Sequence, residues 1–218
     1  MGEILEKKYY SQNGEDVLLW RVFANRAPGI FVDIGAHNGL ALSNTLSFEQ
    51  QGWTGLCVEA HPVYAKECTA NRKAIVVHAA AGKEDKDSVA FYLTAMGHLS
   101  TLNKSSESYF RSAFKKHFTG FKEVKVPLCT VNTLLDRCKF DHIDFISIDV
   151  EGTELDVLHG FDIKKFKPRI VLSEAMHRAL EQKLIEYMTT QGYIYARKTG
   201  YNLFFCANEA DVQILRAK

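Results

Sequence analysis

Four short stretches place acids, glycines and histidines in patterns that could do chemistry. Residues Phe31 to Gly39 read FVDIGAHNG, an apolar run ending in Asp33 and followed by a turn between Gly35 and Gly39. Residues Gly55 to Pro62 read GLCVEAHP, a second apolar run that ends in Glu59. Asp149-Val150-Glu151-Gly152 follows the apolar run Phe145 to Ile148, and Glu174 and His177 stand three apart beyond Ile170 to Ser173. Glycine tolerates positive φ and lets backbone approach a ligand, and Asn38 and Gly39 are placed to open a helix whose N-terminus faces a crevice. An acid closing the second strand of a doubly wound sheet accepts hydrogen bonds from both ribose hydroxyls and repels a 2′-phosphate.

The loop spacing bears on which nucleotide cofactor fits. Dinucleotide sites use G-x-G-x-x-G to bring backbone to a pyrophosphate, whereas Gly35 and Gly39 enclose Ala36, His37 and Asn38. That spacing suits S-adenosylmethionine, which carries no phosphate and asks the loop to cradle an amino-acid moiety. The adenine is expected beside the small side chains Ala79, Ala80 and Ala81. Ser11 to Asp16 precedes the first strand, so Gln12 is placed to offer amide hydrogen bonds and Glu15 or Asp16 to pair with the ammonium; the same residues equally suit a helix cap.

Methyl transfer from such a cofactor needs an acceptor held in line and a group to take its proton. Asp149 and Glu151, separated by Val150, are expected to point differently, one toward the methionine end and one toward the acceptor; both also suit a helix N-terminus. Glu174 and His177 are further base candidates. A metal is not expected; if one is present, Asp149, Glu174 and His177 are its ligands. His98, beside Ser100 and Thr101, is a candidate for acceptor contact or base. Arg111, Lys115, Lys116, Lys122 and Lys125 interleave with Tyr109, Phe110, Phe114, Phe118 and Phe121, either a surface gripping an acidic or ring-shaped acceptor or an amphipathic helix. The Asn/Asp-Pro-Pro-aromatic turn typical of base N-methylation is missing at Asp149 to Gly152.

The elements that position these residues follow from hydrophobic period. A helix is expected near Gly14 to Asn25, then strands near Ile30 to Ile34, Gly55 to Val58 and Ala74 to His78 with helices between. Short strands follow near Val89 to Leu93 and Val124 to Leu128, with Lys104 to Phe118 helical. Then come a helix at Thr130 to Cys138, a strand at Phe145 to Ile148, a helix at Thr153 to His159, a strand at Ile170 to Ser173 and a helix at Ala179 to Gln191. Tyr193 to Arg197 and Asn202 to Cys206 read as an antiparallel hairpin. The pattern indicates an α/β fold with a mostly parallel, doubly wound sheet. Residues 1–218 read as one domain, with Thr94 to Glu123 inserted over the site and carrying acceptor choice.

Composition narrows the class. The chain has 218 residues, 46% hydrophobic and 24% charged, with a formal net charge of +1, which makes no global case for nucleic acid or an acidic membrane surface. Five cysteines without a C-x-x-C pair argue for reduced thiols and against zinc. Neither a signal peptide nor a membrane span is legible, so a soluble, cytoplasmic protein is expected; nothing in the residues fixes an oligomeric state.

The ordered set SQNGED (Ser11 to Asp16), FVDIGAHNG, SNT (Ser43 to Thr45), GWTGLCVEAHP (Gly52 to Pro62), LSTL (Leu99 to Leu102) and IDFISIDVEGTELDVLHGF (Ile143 to Phe161) resembles the FkbM family of S-adenosylmethionine-dependent methyltransferases. The resemblance runs from about Tyr10 to about Ala207. It implies the class I methyltransferase arrangement, a Rossmann-like seven-stranded sheet closed by a C-terminal hairpin. It also implies His37 and Ser43 near the cofactor, and O-methylation of a sugar, glycan or other small molecule. The rival expectations are methylation of an RNA ribose hydroxyl and a cofactor-binding module without transfer.

Overall fold

The computed structural model of the chain describes residues 8–24, 26–95 and 99–217. In chain order the strands are β1 (Ile30–Ile34), β2 (Thr54–Glu59), β3 (Ile75–His78), β4 (Ala80–Ala81), β5 (Lys86–Leu93), β6 (Lys122–Cys129), β7 (Phe145–Ile148), β8 (Ile170–Glu174), β9 (Ile194–Thr199) and β10 (Asn202–Cys206). The helices are α1 (Glu15–Phe23), α2 (Leu46–Gln50), α3 (Pro62–Asn71), α4 (Glu107–Phe114), α5 (Val131–Cys138), α6 (Glu154–His159), α7 (Ile163–Phe166), α8 (Arg178–Thr190) and α9 (Glu209–Arg216).

Seven strands form one sheet in the order β3-β2-β1-β7-β8-β10-β9. The first five run parallel, while β10 pairs antiparallel with β8 and β9 with β10. Strands β1, β7 and β8 are buried except for the partly exposed Ile30 and Glu174. Near-continuous apolar runs such as FISI are what a parallel strand covered on both faces requires. Alternate side chains feed two cores. Val32, Ile34, Ile146 and Ile148 pack with Leu134, Val157 and Leu184 of α5, α6 and α8, whereas Phe31, Phe145 and Leu172 pack with Leu19, Phe23 and Val212 of α1 and α9. Trp20 stacks on Phe48 at 4.2 Å and so docks α2 against α1.

The strand order reverses between β1 and β7, and their C-terminal ends meet closely. Gly35 has φ +89, and a Cβ built on it would lie 1.7 Å from the Asp149 carbonyl oxygen. The glycine is therefore required by the neighbouring strand end as well as by the turn.

Two expectations change. The short strands expected near Val89 and Val124 are longer and leave the main sheet for a second one of order β4-β6-β5. Phe91, Val126, Leu128 and Ala80 bury one face of it. No helix opens at Asn38. Asn38 Oδ1 accepts from the N–H of Leu40 and Ala41, a local turn that competes with helix, and α2 starts only at Leu46, where Ser43 Oγ accepts its N–H at 3.1 Å. The segment Lys104 to His117 folds as α4 between two single 3₁₀ turns. Among the described residues no helix is long and apolar enough to cross a membrane.

Gly35→Ala should destabilise the fold by about 2–4 kcal/mol, since it combines a forbidden φ with a backbone clash. Thermal unfolding measures this. An unchanged midpoint would show that the ends of β1 and β7 do not pack this closely.

Candidate active site

A cavity of about 550 Å³ opens over the C-terminal ends of β1, β2, β7 and β8, the position that the strand reversal of an open α/β sheet provides for a ligand. Its floor carries the carboxylates of Asp33, Glu59, Asp149, Glu151 and Glu174, and no lysine or arginine is among the described residues that line it. Gln12, Ala36, His37, Ser43, Ala80 and Ala81 also line it, as expected, and Tyr64, Phe91, Met176 and Tyr201 complete the wall.

Each acid is held by the turn in which it sits. Glu59 Oε2 accepts the His37 N–H at 2.7 Å and Oε1 accepts the His61 N–H at 2.6 Å. Burial outweighs these bonds and pushes its pKa up to about 7. Asp33 Oδ2 accepts the Thr45 hydroxyl at 2.6 Å, with Arg72 Nη1 4.0 Å behind it. Burial raises its pKa against the pull of Arg72 and Thr45. Arg72 also binds Glu49 Oε2 at 3.1 Å, the Gly39 carbonyl at 3.2 Å and Thr45 Oγ1 at 3.0 Å, so one buried cation gathers the whole loop after β1.

Asp149, Glu151 and Glu174 each bring a carboxylate oxygen within 4.8 Å of the other two. This corrects the expectation that Asp149 and Glu151 diverge. Glu151 adopts φ +58, in the left-handed region rather than an extended conformation. Burial raises the pKa of both Asp149 and Glu174, and Glu174 rises further because of the Asp149 charge beside it. Such a pair shares a proton near neutral pH. Burial and then Asp149 also push Glu151 well up. Beneath them Glu154 is fully buried, with Oε1 accepting from the N–H of Val150 and Gly152, and its pKa is raised by burial to about 7.

Several sequence candidates belong elsewhere. Glu15 does not reach the cavity. Its oxygens accept from Asn13 N and from Asn202 Nδ2, tying α1 to β10, and Asp16 takes the Ser11 hydroxyl at 2.6 Å; the N-cap of α1 is Gly14, without a side-chain cap bond. Asn38 and Gly39 face away from it, toward Asn71 and Arg72. His177 is the N-cap of α8, Nδ1 accepting the Leu180 N–H at 3.1 Å, and Glu151 takes its place beside Asp149 and Glu174. That oxygen-only trio is the donor type hard divalent cations accept. His98 lies outside the described residues. Of the basic and aromatic run, Phe110 and Phe118 are buried with Leu99, Phe121 and Met176 pack against them, and Arg111 pairs with Glu107; the side chains of Tyr109, Phe114 and Lys116 lie outside those described. Arg72, Glu154, Thr153 and Asn202 escaped the sequence reading; only the register that sets Asn202 opposite Glu174 in the C-terminal hairpin signals one of them.

The donor set fits a cationic cofactor. Glu174 Oε2, Thr153 Oγ1 and Asn202 Oδ1 are buried atoms without a hydrogen-bond partner, and orphaned buried polar groups are costly unless a ligand meets them. Acids without a lining cation favour a sulfonium and an ammonium and disfavour a pyrophosphate.

The strand order, with its antiparallel final pair, is that of class I S-adenosylmethionine-dependent methyltransferases. A family model described as "Methyltransferase FkbM domain" matches residues 33–195, and the chain belongs to that family of S-adenosylmethionine-dependent enzymes. Comparison with curated proteins gave no match. Among solved structures, the precorrin-6y C5,15-methyltransferase of Geobacter metallireducens shares 12% identity over 94% of this chain and 90% of its own, with a TM-score of 0.46. The ribosomal protein L11 methylase of Lactobacillus delbrueckii subsp. bulgaricus shares 11% over 89% and 77%, TM-score 0.45. The METTL16 MTase domain shares 13% over 88% and 67%, TM-score 0.47. Similarity at this level concerns the fold alone.

The raised acids fix a sign for pH. Between the ordinary value of 4.5 and about 7, Glu59 and Glu154 hold more protons folded than unfolded. Their stabilisation is complete below 4.5 and is lost as pH climbs through about 7. The ligand-free midpoint of thermal unfolding should therefore fall from about pH 5 to about pH 8, and Glu154→Gln should flatten the slope. S-adenosylmethionine affinity should rise over the same window, because a cation favours the ionised acids. A midpoint that climbs with pH would contradict this account of the floor.

Proposed function

We propose that the protein methylates a hydroxyl of an uncharged small molecule, with a sugar or glycan as the favoured acceptor. The observation that carries the reading is the cavity itself, an acidic floor with no lysine or arginine among the described residues that line it, under a wall of Phe91, Tyr64, Met176 and Tyr201. In this reading Glu59 receives the ribose hydroxyls, Ala80, Ala81 and Phe91 flank the adenine, and Gln12 with the Gly35 to His37 backbone holds the methionine end. When bound, S-adenosylmethionine supplies an electron-poor methyl carbon.

The residues supply position and proton transfer. Asp149, kept near its titration point by burial and by the Glu174 carboxyl, takes the acceptor proton. Glu151 and Glu174 accept hydrogen bonds from neighbouring hydroxyls, which suits a polyol and orients the reacting oxygen. Aromatic faces at the wall suit sugar rings. An RNA acceptor fits poorly, because its phosphates require cations that the lining does not offer.

Uncharged methyl glycosides incubated with labelled S-adenosylmethionine test this directly. Asp149→Asn should lower turnover by roughly 10²- to 10⁴-fold; turnover close to that of the unaltered protein would remove Asp149 as the base. Glu59→Gln should weaken cofactor binding by about 1.5–3 kcal/mol, read by calorimetry. Cofactor binding with no transfer to any hydroxyl acceptor would leave a binding module in place of an O-methyltransferase.

A further inference from the structure

The turn after β7 is bent against its residue types, and the bend is held from outside. Glu151 has φ +58 and Gly152 φ +103, and a non-glycine residue in this region is strained and persists only where its surroundings enforce it. The Glu151–Gly152 peptide unit is gripped at both ends. Its N–H donates to Glu154 Oε1 at 3.0 Å, and its carbonyl oxygen accepts the Thr101 hydroxyl at 2.9 Å. The first grip comes from the next helix; the second arrives from fifty residues upstream.

Thr101 is fully buried. It does not line the cavity, although Leu99, Ser100 and Leu102 beside it do. Its Oγ1 also accepts the Asn103 N–H at 3.1 Å, which commits the hydroxyl proton to Glu151. Its own N–H and C=O both pair with Tyr92 of β5, at 3.1 and 2.9 Å. Leu99 packs with Phe110, Phe118 and Phe121 against Met176. The strap from Leu99 to Leu102 is thus anchored on two sides, and the hydroxyl is a fixed point from which the acid turn hangs.

We propose that Thr101 is a positioning residue, whose hydroxyl locks the Glu151–Gly152 peptide so that the Glu151 carboxylate stays in the cavity beside Asp149 and Glu174. Without it the carbonyl end of the peptide loses its anchor while the Gly152 N–H keeps its bond to Glu154, and Glu151 relaxes from its left-handed conformation. This deepens the proposed function, since it rests on Glu151 holding an acceptor hydroxyl.

Thr101→Val and Thr101→Ser test it on the full chain. Thr101→Val should speed amide hydrogen exchange in peptides covering residues 149–154 and raise the KM of the best methyl glycoside about tenfold, the worth of one hydrogen bond. Its S-adenosylhomocysteine dissociation constant should stay within about twofold, and Thr101→Ser should restore exchange and KM. Unchanged exchange in Thr101→Val, or damage that Thr101→Ser fails to repair, overturns the proposal. If the unaltered protein methylates no glycoside, the functional reading fails separately, and exchange with rescue by serine still decides for or against the lock. Thr101→Ala carries the same expectations should Thr101→Val not fold.

Discussion

Buried carboxylates gathered at one edge of the sheet set the terms for the rest of this molecule. Ionised acids in a low-dielectric site are costly unless paired or hydrogen-bonded. Here the compensation comes mainly from backbone. Glu59 draws in the amides of His37 and His61, and Glu154 those of Val150 and Gly152. Each acid therefore shapes the turn around it, and the turns at the ends of β1, β2 and β7 are as much consequences of the acids as supports for them. The compensation is incomplete, which leaves protons on the acids and unpartnered oxygen atoms in the cavity wall.

The sheet makes this concentration of charge possible. Parallel strands bring several C-terminal ends to one edge, and the reversal between β1 and β7 separates the following loops enough to admit a ligand. The close contact of Gly35 with the Asp149 carbonyl fixes how near those two ends come. The second sheet then walls one flank with Phe91, and the strap from Leu99 to Leu102 closes another.

Features governed by neighbours in sequence were legible in it. The apolar runs of β1, β2, β7 and β8, the hairpin of β9 and β10, and the cavity positions of Asp33, Gly35, Glu59 and the alanines follow from local pattern and spacing. What failed was the choice between roles that a single residue can fill equally well. Glu15 and His177 have the chemistry of a site, yet their partners, Asn202 and the Leu180 amide, make them a tie and a cap. Asp149 and Glu151, expected to point to different ends of the site, lie close together, with Glu151 in a positive-φ turn held in part by Thr101 from fifty residues upstream. Helices α7 and α9 are short and depend on the side-chain caps of Asp162 and Asn208, a weaker signal than hydrophobic period.

Arg72 carries a consequence for traffic. Its guanidinium is buried between Asp33, Glu49, Thr45 and the Gly39 carbonyl. Swinging the loop after β1 away would break the bonds from Arg72 to the Gly39 carbonyl and to Thr45 Oγ1 inside a buried site, which favours the closed position. The loop is a fixed jamb rather than a door. Leu42 of that same loop and Tyr201 of the C-terminal hairpin stand exposed at the cavity, so the loop presents an apolar side chain to entering molecules from a fixed position.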